Sequence, residues 1–181
     1  MPTRYSLSMG DDVRREVLGW EQFGAASREL ASTVVSDGYQ PDLLLAIARG
    51  GLLIAGSMAY ALGMKNCCVI NVEYYTGVDE RLDVPVILPP HLDVVDLSGA
   101  HLLIVDDVAD TGETLALVAE TVRPQVQELR TAVLYEKTRS VVKCDYVWRR
   151  TDDWIMFPWS SLPPVPGAVA DESCAPSYDG A

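Results

Sequence analysis

The chain is poor in several things at once, and each scarcity removes a class of function. No apolar run approaches the roughly 18 residues that crossing a bilayer requires. The opening MPTRYSLSMGDDVRRE lacks the apolar stretch of a secretory leader. Basic residues are few: Lys+Arg number 14 against 26 Asp+Glu, a formal net charge of -12. That balance argues against nucleic acid or an anionic membrane surface as partner, because both bind through basic patches. The four cysteines, Cys67, Cys68, Cys144 and Cys174, contain no C-x-x-C, and the two histidines supply no zinc-ligand spacing. A reducing cytoplasm is therefore the expected compartment. No G-x-x-x-x-G-K-[ST] and no internal repeat occur.

What remains is ordinary globular usage, 49% apolar and 22% charged over 181 residues. A chain of this length suits one domain that buries about two-thirds of its extended surface. Residues 1–162 are read as that domain. Residues 163–181, rich in Pro, Ser, Gly and Ala and without periodicity, are expected to be a disordered tail.

The organising stretch is 101–114, HLLIVDDVADTGET. Leu102, Leu103, Ile104 and Val105 form a short apolar run that predicts a buried strand. Asp106 and Asp107 follow, then Asp110, then Thr111-Gly112-Glu113-Thr114, and then a run at helical spacing over 115–122. The order is strand, acidic loop, hydroxyl-and-glycine turn, helix. A helix N-terminus has N–H groups without internal acceptors, and a turn carrying two threonines can aim them at a phosphate. Gly112 lets the turn tighten and a ligand approach the backbone. Paired carboxylates at a strand's end can accept from vicinal hydroxyls or hold hydrated Mg²⁺. Alone they would repel a phosphate, so the combination asks for a phosphorylated sugar or a metal-bound ligand.

Along the rest of the chain, apolar positions Val17, Trp20, Phe23, Leu30 and Val34 recur at helical intervals from about Asp12 or Trp20 to Val35, ended by Asp37-Gly38. Leu43–Ala48 predicts a second buried strand, followed by Arg49-Gly50-Gly51 and a helix over 52–62. Residues 67–74 predict a third strand and 84–88 a short one. Further strands are expected at 129–135, after a break at Pro124, at 145–148 and at 154–157. Strands alternating with helices indicate a single α/β domain with a mostly parallel sheet.

The segment LLIVDDVADTGET resembles the phosphoribosyl-pyrophosphate (PRPP) motif of the type I phosphoribosyltransferases at every defining position. A Walker B strand would need the absent phosphate loop. A receiver domain would place its acids near the N-terminus, without the DTGET turn. The resemblance implies the family fold, a single-domain Rossmann-like sheet flanked by helices, with a small hood over the active site built from N-terminal residues and the region after Tyr135. It implies PRPP contacts from Asp106, Asp107, Val108, Ala109, Asp110, Thr111, Gly112, Glu113 and Thr114. Asp106 and Asp107 would hold the ribose hydroxyls directly or through Mg²⁺, the implied cofactor. Asp110 would be the catalytic acid/base near the base ring, against the alternative of a helix N-cap. Arg49, Gly50 and Gly51 would cradle pyrophosphate on a loop that in the family often contains a strained or cis peptide.

Two further segments resemble the bacterial xanthine-guanine (6-oxopurine) enzymes. Lys137 stands where such enzymes carry a lysine donating to the exocyclic O6. DDWIMFPW, 152–159, matches their purine-pocket stretch, with Trp154 stacking on the ring and Ile155 offering a backbone group. Trp20 and Trp159 are expected to pack. Glu136 departs from the subgroup, which has a small residue there, and Glu113 departs from its usual glycine. The loop 73–83 differs as well; Tyr74, Tyr75 and Arg81 are its candidate contacts if it closes over PRPP. The expected partners are PRPP and a nitrogenous base, and family members are usually homo-oligomers, dimers or tetramers.

Overall fold

The computed structural model describes residues 14–73, 76–77, 80–81, 86–87 and 97–168. The first element is a short strand, β1 (Arg15–Val17), followed by helix α1 (Trp20–Ser36), strand β2 (Leu43–Ala48), helix α2 (Gly50–Leu62) and strand β3 (Cys67–Glu73). Three two-residue strands come next: β4 (Thr76–Gly77), β5 (Glu80–Arg81) and β6 (Val86–Ile87). The second half runs β7 (His101–Ala109), α3 (Glu113–Val122), β8 (Glu128–Glu136), β9 (Tyr146–Arg150) and β10 (Trp154–Met156).

Six strands form one sheet in the order β6-β3-β2-β7-β8-β9. All its pairings are parallel except that of β6 with β3. From β2 the chain steps to β3 on one side; β7, β8 and β9 then add on the other. The strand order thus reverses between β2 and β7, and ligands of open α/β sheets bind outside the carboxyl ends at such a reversal. The sheet's period-two alternation divides the core. Leu44, Ala46, Leu103 and Val105 face one way with Leu30, Val34, Ile54 and Met58 of α1 and α2. Leu45, Ile47, Leu102 and Ile104 face the other, with Leu115, Val118 and Val122 of α3.

Two differences from the sequence reading matter for the site. β7 does not stop at Val105: its ladder with β2 ends there, but pairing with β8 continues through Asp106, Val108 and Ala109. The acids therefore sit on a strand that overshoots its neighbour, held from one side only, rather than on a loop. β8 likewise extends to Glu136, because that residue pairs with Ala109 and with Arg150 on its two flanks.

β1, absent from the sequence reading, forms a separate parallel pair with β10, in register Arg15↔Trp154, Glu16↔Ile155 and Val17↔Met156. This small sheet draws on the two regions that the resemblance implies for the hood. It is fastened to the body by Glu16, whose carboxylate accepts from Tyr135 Oη at 3.1 Å and pairs with Arg149. Residues 163–168 are exposed and carry neither helix nor strand. The rest of the expected tail, 169–181, lies outside the described residues, as do Tyr74, Tyr75, Cys174 and the side chain of Arg81.

Candidate active site

The carboxyl ends of β2 and β7 are pressed together by two glycines. A Cβ on Gly50 would overlap the Asp107 carboxylate, and one on Gly51 would overlap the Val105 carbonyl oxygen. Their absence lets the first turn of α2 close on the acids. The preceding Ala48–Arg49 peptide is cis, and Arg49 is exposed. Helix α2 begins at Gly50, two residues earlier than the apolar pattern indicates, because Gly50 and Gly51 bring no side chain to collide with β7.

Asp106 and Asp107 are tightly coupled. The Asp107 N–H donates to Asp106 Oδ1 at 2.9 Å. Burial, then the neighbouring Asp107 charge, pushes the Asp106 carboxyl well above the usual range; the Gly51 N–H opposes this. Burial pushes Asp107 up to about 6, against donation from the Val108 N–H and from the Trp159 side chain. Two acids that resist ionising together suit a divalent cation, which would relieve both costs at once. Among the described residues no group of three or more His, Cys, Asp or Glu gathers for a metal. Two carboxylates without a full cage fit Mg²⁺, which keeps waters and takes substrate phosphate oxygens as its remaining ligands.

Beyond β7 the chain turns through Gly112, at φ 80°, into α3. A Cβ at Gly112 would overlap Ser140 Oγ and sit 3.0 Å from the Val142 nitrogen, so glycine is required both for conformation and for space. No side chain caps α3. Thr111 Oγ1 lies 3.4 Å from the Glu113 N–H, and Thr111 and Glu113 are exposed, so the turn is open to an anion. Asp110 is not the helix cap. Its carboxylate instead accepts from Arg139 Nε at 2.9 Å and from Nη2 at 2.5 and 2.6 Å.

Lys137 follows β8 directly. Its N–H donates to the Ala109 carbonyl at 3.0 Å, tying it to the end of β7, and its Nζ lies 3.3 Å from Asp110 Oδ1. The residue is only 7% exposed, so its ammonium is fixed rather than swept through solvent. The same Nζ stands 5.9 Å from the centroid of the Trp154 ring. Trp154 is 51% exposed on β10, whereas Ile155 beside it is buried. Trp159 stacks on Phe157, centroids 4.8 Å apart, and meets Phe23 and Trp20 edgewise or tilted. Trp159 and Trp20 thus pack as expected, although Trp20 is largely exposed.

The structure therefore gathers Asp106, Asp107, Asp110, the 111–114 turn, the 49–51 turn, Lys137 and Trp154 around the carboxyl ends of β2, β7 and β8. The sequence reading missed what holds them. Asp152 accepts from both the Thr138 N–H and its hydroxyl, each at 2.9 Å. Val141 N–H donates to the Thr111 carbonyl at 2.8 Å. Glu136, a departure from the subgroup, is 2% exposed and accepts from the Cys144 N–H at 2.7 Å and Arg150 Nε at 3.0 Å. Burial raises its pKa, but those donors and the nearby Lys143 more than offset this and leave it below the usual carboxylate value. The one sequence signal was an acid in an otherwise apolar strand end.

A cis-peptide glycine turn after β2, an acidic strand that overshoots its neighbour and an open turn into α3 meet at this site. Residues 14–161 match the phosphoribosyl transferase domain, and the chain belongs to that family, as a type I phosphoribosyltransferase. It is 34% identical over 153 residues to a xanthine-guanine phosphoribosyltransferase of Roseobacter denitrificans, covering 78% of this chain and 83% of that one. To the enzyme of the same name from Gluconobacter oxydans it is 30% identical over 163 residues, 88% and 94% of the two chains. Among solved structures, a purine phosphoribosyltransferase from Pyrococcus horikoshii superposes with a TM-score of 0.73 at 36% identity, over 84% of this chain and 97% of the other.

Proposed function

We propose that this enzyme transfers the 5-phosphoribosyl group of PRPP to a 6-oxopurine (xanthine, guanine or hypoxanthine) in purine salvage, releasing pyrophosphate with Mg²⁺ as cofactor. The observation that carries the reading is Lys137 Nζ, buried, 3.3 Å from the Asp110 carboxylate and beside the half-open Trp154 ring. A donor, an acceptor and an aromatic face at that spacing suit the edge and plane of an oxopurine. The xanthine-guanine and purine activities in the names of the relatives support the same acceptor.

In this reading the 111–114 turn and the N-terminal amides of α3 bind the 5′-phosphate, and Arg49, Gly50 and Gly51 bind the pyrophosphate. Holding both ends of PRPP directs remote binding energy into aligning C1′ with the attacking ring nitrogen. Asp106 and Asp107 accept from the ribose hydroxyls and stabilise positive charge developing at C1′. Asp110 takes the proton that the ring nitrogen sheds, and Lys137 donates to O6. Mg²⁺, held by Asp106 and Asp107 with the ligand's oxygens, would offset charge on the leaving pyrophosphate.

No helix among the described residues is long and apolar enough to cross a membrane. A cytoplasmic location and a dimer or tetramer belong to the same proposal; the exposed Leu52, Leu53 and Tyr60 of α2 support self-association. The test is nucleotide formation from PRPP and Mg²⁺ with xanthine, guanine, hypoxanthine, adenine, uracil and orotate. Turnover confined to one or more of the first three is expected. Activity only on another base, with PRPP binding intact, would move the acceptor elsewhere.

A further inference from the structure

The segment 137–143 carries Lys137 and Arg139 to the acceptor side of the site, and its far end is anchored by one buried carboxylate. Glu136 Oε2 accepts from the Cys144 N–H at 2.7 Å, so the residue before the segment bonds the residue after it. Its other oxygen accepts from Arg150 Nε of β9 at 3.0 Å and lies 3.8 Å from Lys143 Nζ. Backbone bonds complete the frame: Glu136 pairs with Ala109 across to β7, and its carbonyl accepts from the Thr151 N–H at 3.2 Å. A carboxylate 2% exposed, with charged groups at one oxygen and a backbone donor at the other, is costly to leave unpaired, so the closed shape of the segment is strongly specified.

Resting on the 6-oxopurine reading, we propose that Glu136 is a positioning residue for base recognition, locking the segment 137–143 so that the Lys137 ammonium points along the Asp110 carboxylate at the purine's oxygen-bearing edge. It touches no reacting atom. It acts by removing the freedom that a lysine at the mouth of an unlatched loop would have. A hydrogen bond placed by such a frame loses most of its value when the frame relaxes.

The experiment is a double-mutant cycle on the full chain, reading kcat/KM for guanine in wild type, Glu136→Ala, Lys137→Ala and the double variant. Glu136→Ala alone is expected to lower kcat/KM about ten-fold, the scale of one hydrogen bond to a charged group. In the Lys137→Ala background the same change is expected to cost less than about two-fold, since the group it positions is gone. Glu136→Gln keeps an acceptor for the Cys144 N–H and is expected to recover part of the loss. It also carries the cycle if the alanine variant does not fold. Equal losses in both backgrounds, or no loss in either, overturn the inference while the purine reading stands. A wild type inactive on every 6-oxopurine overturns the purine reading and this inference with it.

Discussion

Arg139 grips Asp110 with a forked guanidinium, two nitrogens within 2.9 Å of the carboxylate, while Lys137 approaches the same Oδ1 from the buried side. The two cations differ in kind. The Arg139 side chain is 60% exposed, and its pair is screened by water and easily exchanged. Lys137 is fixed. A base arriving at Asp110 would therefore displace Arg139 and keep Lys137. Arg139→Ala is expected to change kcat by less than about three-fold, in line with a surface ion pair. Asp110→Asn is expected to lower kcat by about a hundred-fold, because an amide cannot take the ring proton. Steady-state kinetics with the best base separates the two, and full activity of Asp110→Asn rejects the assigned role.

Lys137→Ala tests the choice of base. Removing a buried donor aimed at O6 should cost about ten- to a hundred-fold in kcat/KM for guanine, xanthine and hypoxanthine. A base with no exocyclic oxygen at that edge has nothing to lose. A base panel run on both proteins should show the preference flatten; an unchanged profile removes Lys137 from recognition.

How much of this was legible in the chain follows from sequence distance. The 101–114 motif and the 49–51 turn are contiguous strand–turn–helix units, so their local form could be read from neighbours. Where β7 ends could not, because Asp106, Val108 and Ala109 are held in the strand by β8, about twenty-seven residues away in register. The Asp110–Arg139 and Asp152–Thr138 contacts join residues that no local pattern relates. Nor could β1 be anticipated: it is three residues long and exists through β10 at the other end of the domain. Glu136 showed itself only as an anomaly, and its meaning needed the Cys144 and Arg150 partners.

Glycine substitutions should divide by location. At Gly50 and Gly112 an added methyl collides with the Asp107 carboxylate and with Ser140 Oγ, and Gly112 also has φ 80°. Alanine at either position is expected to destabilise by about 1–3 kcal/mol and to weaken PRPP binding. Gly24 in α1 and Gly56 in α2 have open space where a methyl group would stand, with nothing within 4 Å. Alanine there should stabilise by about 0.5–1 kcal/mol, because it restricts the unfolded chain at helical positions. Denaturant midpoints of the four variants read both signs. Uniform destabilisation would mean that the open surfaces at Gly24 and Gly56 are covered in solution.

The acid pair links pH to stability. Asp107 is pushed up to about 6 from the ordinary 3.8 by burial, and Asp106 moves the same way through burial and the neighbouring Asp107 charge, so ionisation is disfavoured in the folded chain. The folded state then holds protons that the unfolded chain has released. Its advantage is complete below about pH 4 and is lost as pH rises through 6. In chelator, without ligand, the wild type should be less stable at pH 8 than at pH 5 relative to Asp107→Asn, by about 1–2 kcal/mol. The amide has no charge to bury, so the variant should be the more stable protein at pH 8 while binding PRPP more weakly. Urea unfolding of both proteins across this range gives the difference directly. Parallel pH profiles would show that the two carboxyls ionise freely in the folded state, and the case for a cation relieving them would fall with that result.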